Sequence, residues 1–164
     1  MSLWVISGVA GSGKTSLGKR LAARLACPFL DADDFHPPAN IVKLRSGAAL
    51  DEEDRGAWLD GLCAGIAALG SREAVLAFPG LKQAHRIRVL QVRPDARFIF
   101  LRADLPLIEQ RLRQRGGFFP AVLAESQFQD WEPDPKALEL DAARSLDALE
   151  VQVYAWARPD TTGF

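Results

Sequence analysis

Cysteine is nearly absent from this chain: Cys27 and Cys63 are the only two in 164 residues. Their number and spacing suit neither a disulfide scaffold nor a metal-ligand motif. Both read as small buried apolar residues in a reducing compartment. Long apolar runs are missing too. No stretch approaches the roughly 18 residues of a membrane span, and the N-terminus shows neither the basic region nor the cleavage site of a signal peptide. A cytoplasmic protein with no membrane partner is therefore expected. Net charge is small: 20 Lys and Arg stand against 21 Asp and Glu, giving −1 at pH 7. With a pI near 6.1 and no basic stripe interleaved with aromatics, nucleic acid is disfavoured as a partner. Small anions remain compatible, since local clusters of cations can serve them. Lysine is itself scarce, five residues against fifteen arginines, which draws attention to where it is kept.

What is present is the composition of one globular domain. Apolar residues make up 48% and charged residues 25%, which excludes a disordered or collagen-like chain. The length fits a single domain, so any site is built from insertions on one sheet.

The most specific stretch is WVISGVAGSGKTSLGKRL. Gly8, Gly11 and Gly13 permit backbone conformations and approaches that a Cβ would block, so successive N–H groups can surround an anion. The following helix adds its own free N–H groups and positive dipole end. Gly8 to Thr15 fits G-x-x-x-x-G-K-[ST] in full, with Ser12 and Ser16 in and beside the loop. This pattern assigns Lys14 to β- and γ-phosphates and the Thr15 hydroxyl to Mg²⁺.

Strand and helix patterns alternate along the chain. LWVIS, PFLDAD, AVLAF, ARFIFLRA and KALELDA read as five strands. Helical patterns cover KTSLGKRLAARLA, 39–46, 51–69, 81–91, 104–114, 120–130 and 145–156. Such alternation implies βαβ units and an α/β fold: a five-stranded parallel sheet with helices on both faces. Ligands then gather at the carboxyl ends of the strands.

Those ends carry the other candidate residues. If PFLDAD stays extended, Asp31 and Asp33 share a face turned toward the glycine loop while Asp34 points away. One carboxylate then suits a metal shell and the other an attacking hydroxyl. In LDEEDRGAWL, Asp51 is placed to cap a helix with Asp54, and Arg55 to grip a carboxylate by paired hydrogen bonds. Lys82 and Arg86 stand four apart, a spacing that presents two cations to one anion. His85 has no orienting neighbour in sequence and reads as a surface residue. Arg111 and Arg115 share a helical face ahead of Gly116 and Gly117, as in a hinged lid whose cations neutralise a transferring phosphoryl group.

These runs, with HPPANIVK, GLKQAHR, FIFLRADLPLIEQRLRQR and ESQFQDWEPD, resemble the gluconokinase family of P-loop sugar-acid kinases over roughly Gly8 to Leu149. The resemblance implies a P-loop kinase fold with a substrate-binding helical insertion near 38–70 and a lid near 115–121. It also implies transfer of a phosphoryl group from ATP, with Mg²⁺, to the terminal hydroxyl of D-gluconate. By position, Lys14 and Thr15 serve phosphates and metal, and Asp31 and Asp33 match the family's D-G-D acids. His36, Arg55, Lys82 and Arg86 stand at sugar-acid positions, and Arg111 and Arg115 at lid arginines. Ala32 replaces the glycine of D-G-D, FPGLK stands where a C-S-A-L-K-like segment is usual, and the lid lacks its G-H-F histidine. Another sugar acid, a polyol, a shikimate-like acid or a catalytically weakened nucleotide-binding module stays open as an alternative. So does the oligomeric state, a homodimer included.

Overall fold

The computed structural model describes residues 1–116 and 124–159. Within them β1 (Leu3–Ser7) leads through the glycine loop into α1 (Lys14–Leu25). Next come β2 (Phe29–Asp31), a 3₁₀ turn (Ala32–Phe35), α2 (Pro38–Arg45), α3 (Glu52–Ala68) and β3 (Ala74–Ala77). The chain continues through α4 (Gln83–Val92), β4 (Arg97–Arg102), α5 (Leu105–Arg115), α6 (Ala124–Asp130), β5 (Leu138–Asp141) and α7 (Leu146–Ala157). The sheet order is β2-β3-β1-β4-β5, with every adjacent pair parallel. This is the α/β architecture that the alternating pattern predicts.

All five residues of β1 are buried because both faces of the central strand are covered. Trp4 and Ile6 pack with Leu17 and Leu21 of α1 and Leu149 and Val153 of α7. Leu3 and Val5 face the other way, toward Leu59, Leu62 and Ile66 of α3 and Val89 of α4. A third cluster joins Val9 and Phe100 to Ile108 and Leu112 of α5 and Ala124 of α6 near the strand ends. The starts of α3, α5 and α7 are fixed by side-chain caps. Asp51 accepts from the Asp54 N–H at 2.8 Å and Asp54 accepts from the Asp51 N–H at 3.1 Å, the capping box read from sequence.

Two local expectations change. The second strand ends at Asp31, whose Oδ1 accepts the Asp33 N–H at 3.0 Å and turns the chain into the 3₁₀ helix. Alternation along a strand therefore does not relate Asp31 to Asp33. Cys27 and Cys63 are free but only partly buried; burial pushes both thiols up, consistent with unreactive small residues. Among the described residues no helix is long and apolar enough to cross a membrane.

Candidate active site

The glycine loop lies at the carboxyl end of β1, with its Gly8 N–H bonded to the Pro79 carbonyl after β3 at 3.1 Å. Gly8 has φ 145°, and a Cβ there would sit 2.7 Å from Ser12 Oγ and 2.9 Å from Leu101 O. The turn thus requires glycine on two counts. Gly13, at φ 102°, caps α1 in the left-handed region. Ser12 Oγ is buried without a hydrogen-bond partner among the described residues, a polar group left unmet beside an anion cradle. Lys14 Nζ donates to Val9 O at 2.8 Å. Burial lowers its pKa to about 8, against the opposing pull of Asp33 and Asp31.

The acids reach the same pocket by a turn. Thr15 Oγ1 donates to Asp31 Oδ2 at 2.8 Å, while Asp31 Oδ1 holds the Asp33 N–H. Asp31 and Asp33 both line the pocket with Lys14 and Thr15, and Asp34 is exposed. Burial pushes the Asp33 carboxyl up, but the His36 ring and the Lys14 charge outweigh it and hold it below the usual range. His36 Nε2 lies 3.7 Å from Asp33 Oδ1. On the other side of the ring, Asn40 Nδ2 donates to the Asp54 carbonyl at 3.0 Å and contacts His36 Nδ1 at 3.3 Å. An amide nitrogen only donates, so Nδ1 accepts and Nε2 carries the hydrogen directed at Asp33. Trp58 stacks on this ring, with centroids 4.6 Å apart, and donates from Nε1 to Ala32 O at 2.7 Å. It thereby clamps the turn that carries Asp33.

The Thr15 hydroxyl and Asp31 carboxylate form a hard oxygen pair that fits Mg²⁺. Among the described residues no three His, Cys, Asp or Glu side chains converge as a metal cage. A cation at Thr15 and Asp31 would therefore draw its remaining ligands from phosphate and water.

At the pocket mouth Glu52 Oε1 accepts from Arg55 Nη1 at 2.7 Å and from Lys82 Nζ at 2.9 Å, and its Oε2 lies 3.6 Å from His85 Nε2. These two cations hold the Glu52 carboxyl at about 2. Asp130 also pairs with Arg55, at 3.2 Å. His85 is thus a pocket residue with a side chain only 12% exposed, not the surface residue expected, and burial pushes its pKa down. Lys82 and Arg86 do not converge on one anion. Lys82 precedes the helix as its cap and turns into the mouth. Arg86 is buried and donates to Gly80 O at 2.6 Å and Leu81 O at 3.1 Å, bracing the loop after β3.

Arg111 donates to Ser12 O at 3.1 Å and Ala142 O at 2.7 Å. With Arg115, Ser12, Thr15, Ser16 and Arg144 it lines a second cavity beside the glycine loop. Arg115 is exposed and borders both cavities. Of the expected lid, residues 117–121 lie outside the described residues. Sequence reasoning missed Asn40, Gln127 and Asp130. Gln127 Oε1 accepts the Ala10 N–H at 2.6 Å, joining α6 to the glycine loop. Their only signal in sequence is membership of HPPANIVK and ESQFQDWEPD.

Comparison with known proteins agrees with this fold. The AAA domain family matches residues 3–131. The chain is 36% identical over 144 residues to the thermosensitive gluconokinase of Escherichia coli (strain K12), covering 86% of this chain and 76% of that one. It is 37% identical over 162 residues to a probable gluconokinase of Xenopus tropicalis, covering 87% and 84%. A crystal structure of a gluconokinase from Sinorhizobium meliloti 1021 superimposes with a TM-score of 0.86 at 28% identity, covering 98% and 94%. With its P-loop, its paired acids and these relatives, the chain belongs to the gluconokinase family of P-loop carbohydrate kinases.

Proposed function

We propose that this enzyme transfers the γ-phosphoryl group of ATP to the terminal hydroxyl of D-gluconate, giving 6-phosphogluconate. One observation carries the reading: a single pocket is lined by Lys14 and Asp33 together with Arg55 and Lys82. Cations suited to phosphate and cations suited to a carboxylate thus line the same pocket, which supports a polyhydroxy acid as acceptor. The relatives named gluconokinase support the choice of acid.

In this reading Lys14 and the loop N–H groups bind the phosphates. Asp33, oriented by His36, accepts a hydrogen bond from the attacking hydroxyl and receives its proton as the phosphoryl group transfers. Arg111 and Arg115 offset charge on the phosphates. Thr15 and Asp31 would hold Mg²⁺, which would supply charge neutralisation for the nucleotide phosphates. Arg55 and Lys82 bind the sugar-acid carboxylate. α2 and α3 form the substrate-binding insertion.

The test is ADP release with gluconate, other sugar acids, polyols and shikimate as acceptors. Gluconate is expected to give the highest kcat/KM; turnover of another acceptor with none on gluconate replaces the substrate, and none on any acceptor removes the catalytic reading.

A further inference from the structure

Three cationic or proton-bearing side chains, Arg55, Lys82 and His85, converge on one carboxylate that belongs to the protein itself. We propose that Glu52 is a resident anion occupying the place of the substrate carboxylate, and that it sets acceptor affinity by having to be displaced. The inference rests on the proposed function, which makes Arg55 and Lys82 the carboxylate-binding pair.

The geometry separates Glu52 from the other acid in the cluster. Its side chain is 67% exposed, against 27% for Asp130. Glu52 is also the first residue of α3, and the Asp51–Asp54 box fixes the backbone on either side of it. A change of side-chain rotamer alone therefore carries its carboxylate into solvent, with no helix movement. Asp130 has a shorter side chain, is more enclosed, accepts from the other terminal nitrogen of Arg55, Nη2, at 3.2 Å, and lies farther from Lys82 Nζ, at 4.0 Å against 2.9 Å for Glu52. It remains in place and keeps that guanidinium aimed into the mouth. The two acids thus do opposite things: Asp130 orients the cation and Glu52 competes for it.

The contacts Glu52 makes are those an incoming carboxylate would take, with one oxygen shared between Arg55 Nη1 and Lys82 Nζ. Only the fraction of molecules with Glu52 turned away is open to the acid, and the apparent dissociation constant rises by the reciprocal of that fraction. Exposed pairs are weak, each moving an equilibrium by about fivefold at most. Two such pairs give an expected effect of roughly three- to tenfold. An uncharged acceptor has no carboxylate to exchange for Glu52, so its binding is insensitive to this competition. Glu52 therefore tunes how far the enzyme favours acids over neutral polyols.

The experiment compares wild type with Glu52→Gln, Glu52→Ala and Glu53→Gln. Steady-state kinetics with gluconate is run beside calorimetric binding of gluconate and of glucitol, which carries a hydroxymethyl group where gluconate has its carboxylate. Glu53 is exposed and lies outside the cluster, so its variant controls for the loss of one negative charge. Both Glu52 variants are expected to lower KM and Kd for gluconate about three- to tenfold, with the change in KM and not in kcat. Glucitol binding should stay unchanged, and Glu53→Gln should match wild type. Asp130→Asn should move KM the other way. A gluconate KM that is unchanged or raised in the Glu52 variants overturns the proposal and makes Glu52 a clamp for Arg55 and Lys82. An equal fall in Glu53→Gln reduces the effect to net charge and overturns it too. If no carboxylic acid binds to wild type or variants, the proposed function falls along with it.

Discussion

Lys14→Met should abolish phosphoryl transfer and at the same time stabilise the nucleotide-free protein. The reason is the setting of Lys14 Nζ, whose single described hydrogen bond is to the Val9 carbonyl. A drop in pKa from 10.5 to about 8, at about 1.4 kcal/mol per tenfold change, corresponds to roughly 3 kcal/mol of penalty on the charged form. Part of this is screened, because Lys14 borders the open pocket and is partly exposed. Methionine also forfeits the bond to Val9, while the pull of Asp33 and Asp31 is already contained in the value of about 8. The net gain at pH 7 should be about 1–2 kcal/mol, which for a chain of this size raises Tm by roughly 3–6 °C. The sign with pH follows from linkage. The folded pKa lies below the unfolded one, so the unfolded chain holds the extra proton between about pH 8 and 10.5. Wild-type stability attributable to this group therefore rises across that window, while below pH 8 the penalty is fully present. The difference in Tm should be largest at neutral pH and close toward pH 10. Saturating ATP and Mg²⁺ should reverse the order, since a ligand at 100 times its Kd adds about 2.7 kcal/mol to the form that binds it. Scanning calorimetry of both proteins at several pH values checks this. A lower Tm for nucleotide-free Lys14→Met at pH 7, or a difference that widens with pH, refutes the reasoning.

Asp33→Asn should lower kcat by about 10² to 10⁴ with nucleotide affinity nearly intact by calorimetry. Asp31→Asn should instead raise the Mg²⁺ concentration for half-maximal activity; the two results exchanged would reverse the roles. Trp58→Phe keeps a ring against His36 but removes the donor to Ala32 O, leaving that carbonyl only its bond within the 3₁₀ turn, at a cost of about 0.5–1.5 kcal/mol. Urea unfolding should show that loss, and kcat should fall with it because the turn carrying Asp33 is loosened; unchanged stability would mean that the bond does not hold the turn.

The sheet is legible because its strands are covered on both faces, so LWVIS and AVLAF stand out as short apolar runs between helical periods. The glycine loop is legible because its chemistry is local in sequence. The site's remaining geometry depends on features that periodicity does not encode. Asp33 reaches Lys14 because the Asp31 carboxylate captures a backbone N–H and bends the chain, which strand alternation cannot anticipate. Lys82 and Arg86 are four apart, but the helix begins at Gln83, so Lys82 stands outside the helix and the spacing rule does not join them. His85 gains its environment from Glu52, far away in the chain, and Asp130 meets Arg55 across 75 residues. Contacts of that separation exist only once the sheet has brought α3, α4 and α6 to one edge.

The two ends of the pocket differ in what their cations hold before any ligand enters, and this difference bears on selectivity. At the glycine-loop end Lys14 is bonded to Val9 O, and in the adjoining cavity Arg111 is bonded to Ser12 O and Ala142 O. These partners are neutral, so a polyanionic phosphate outcompetes them through charge. At the mouth Arg55 and Lys82 are already paired with carboxylates. An entering sugar acid there exchanges one carboxylate for another, and the charge interaction changes little in the exchange. Affinity for the acid then depends on how readily Glu52 leaves and on what the hydroxyls meet along Asp33, His36 and Trp58. The mouth can recognise a carboxylate without gripping every small anion, because an acid lacking the polyol chain gains only what Glu52 already supplies.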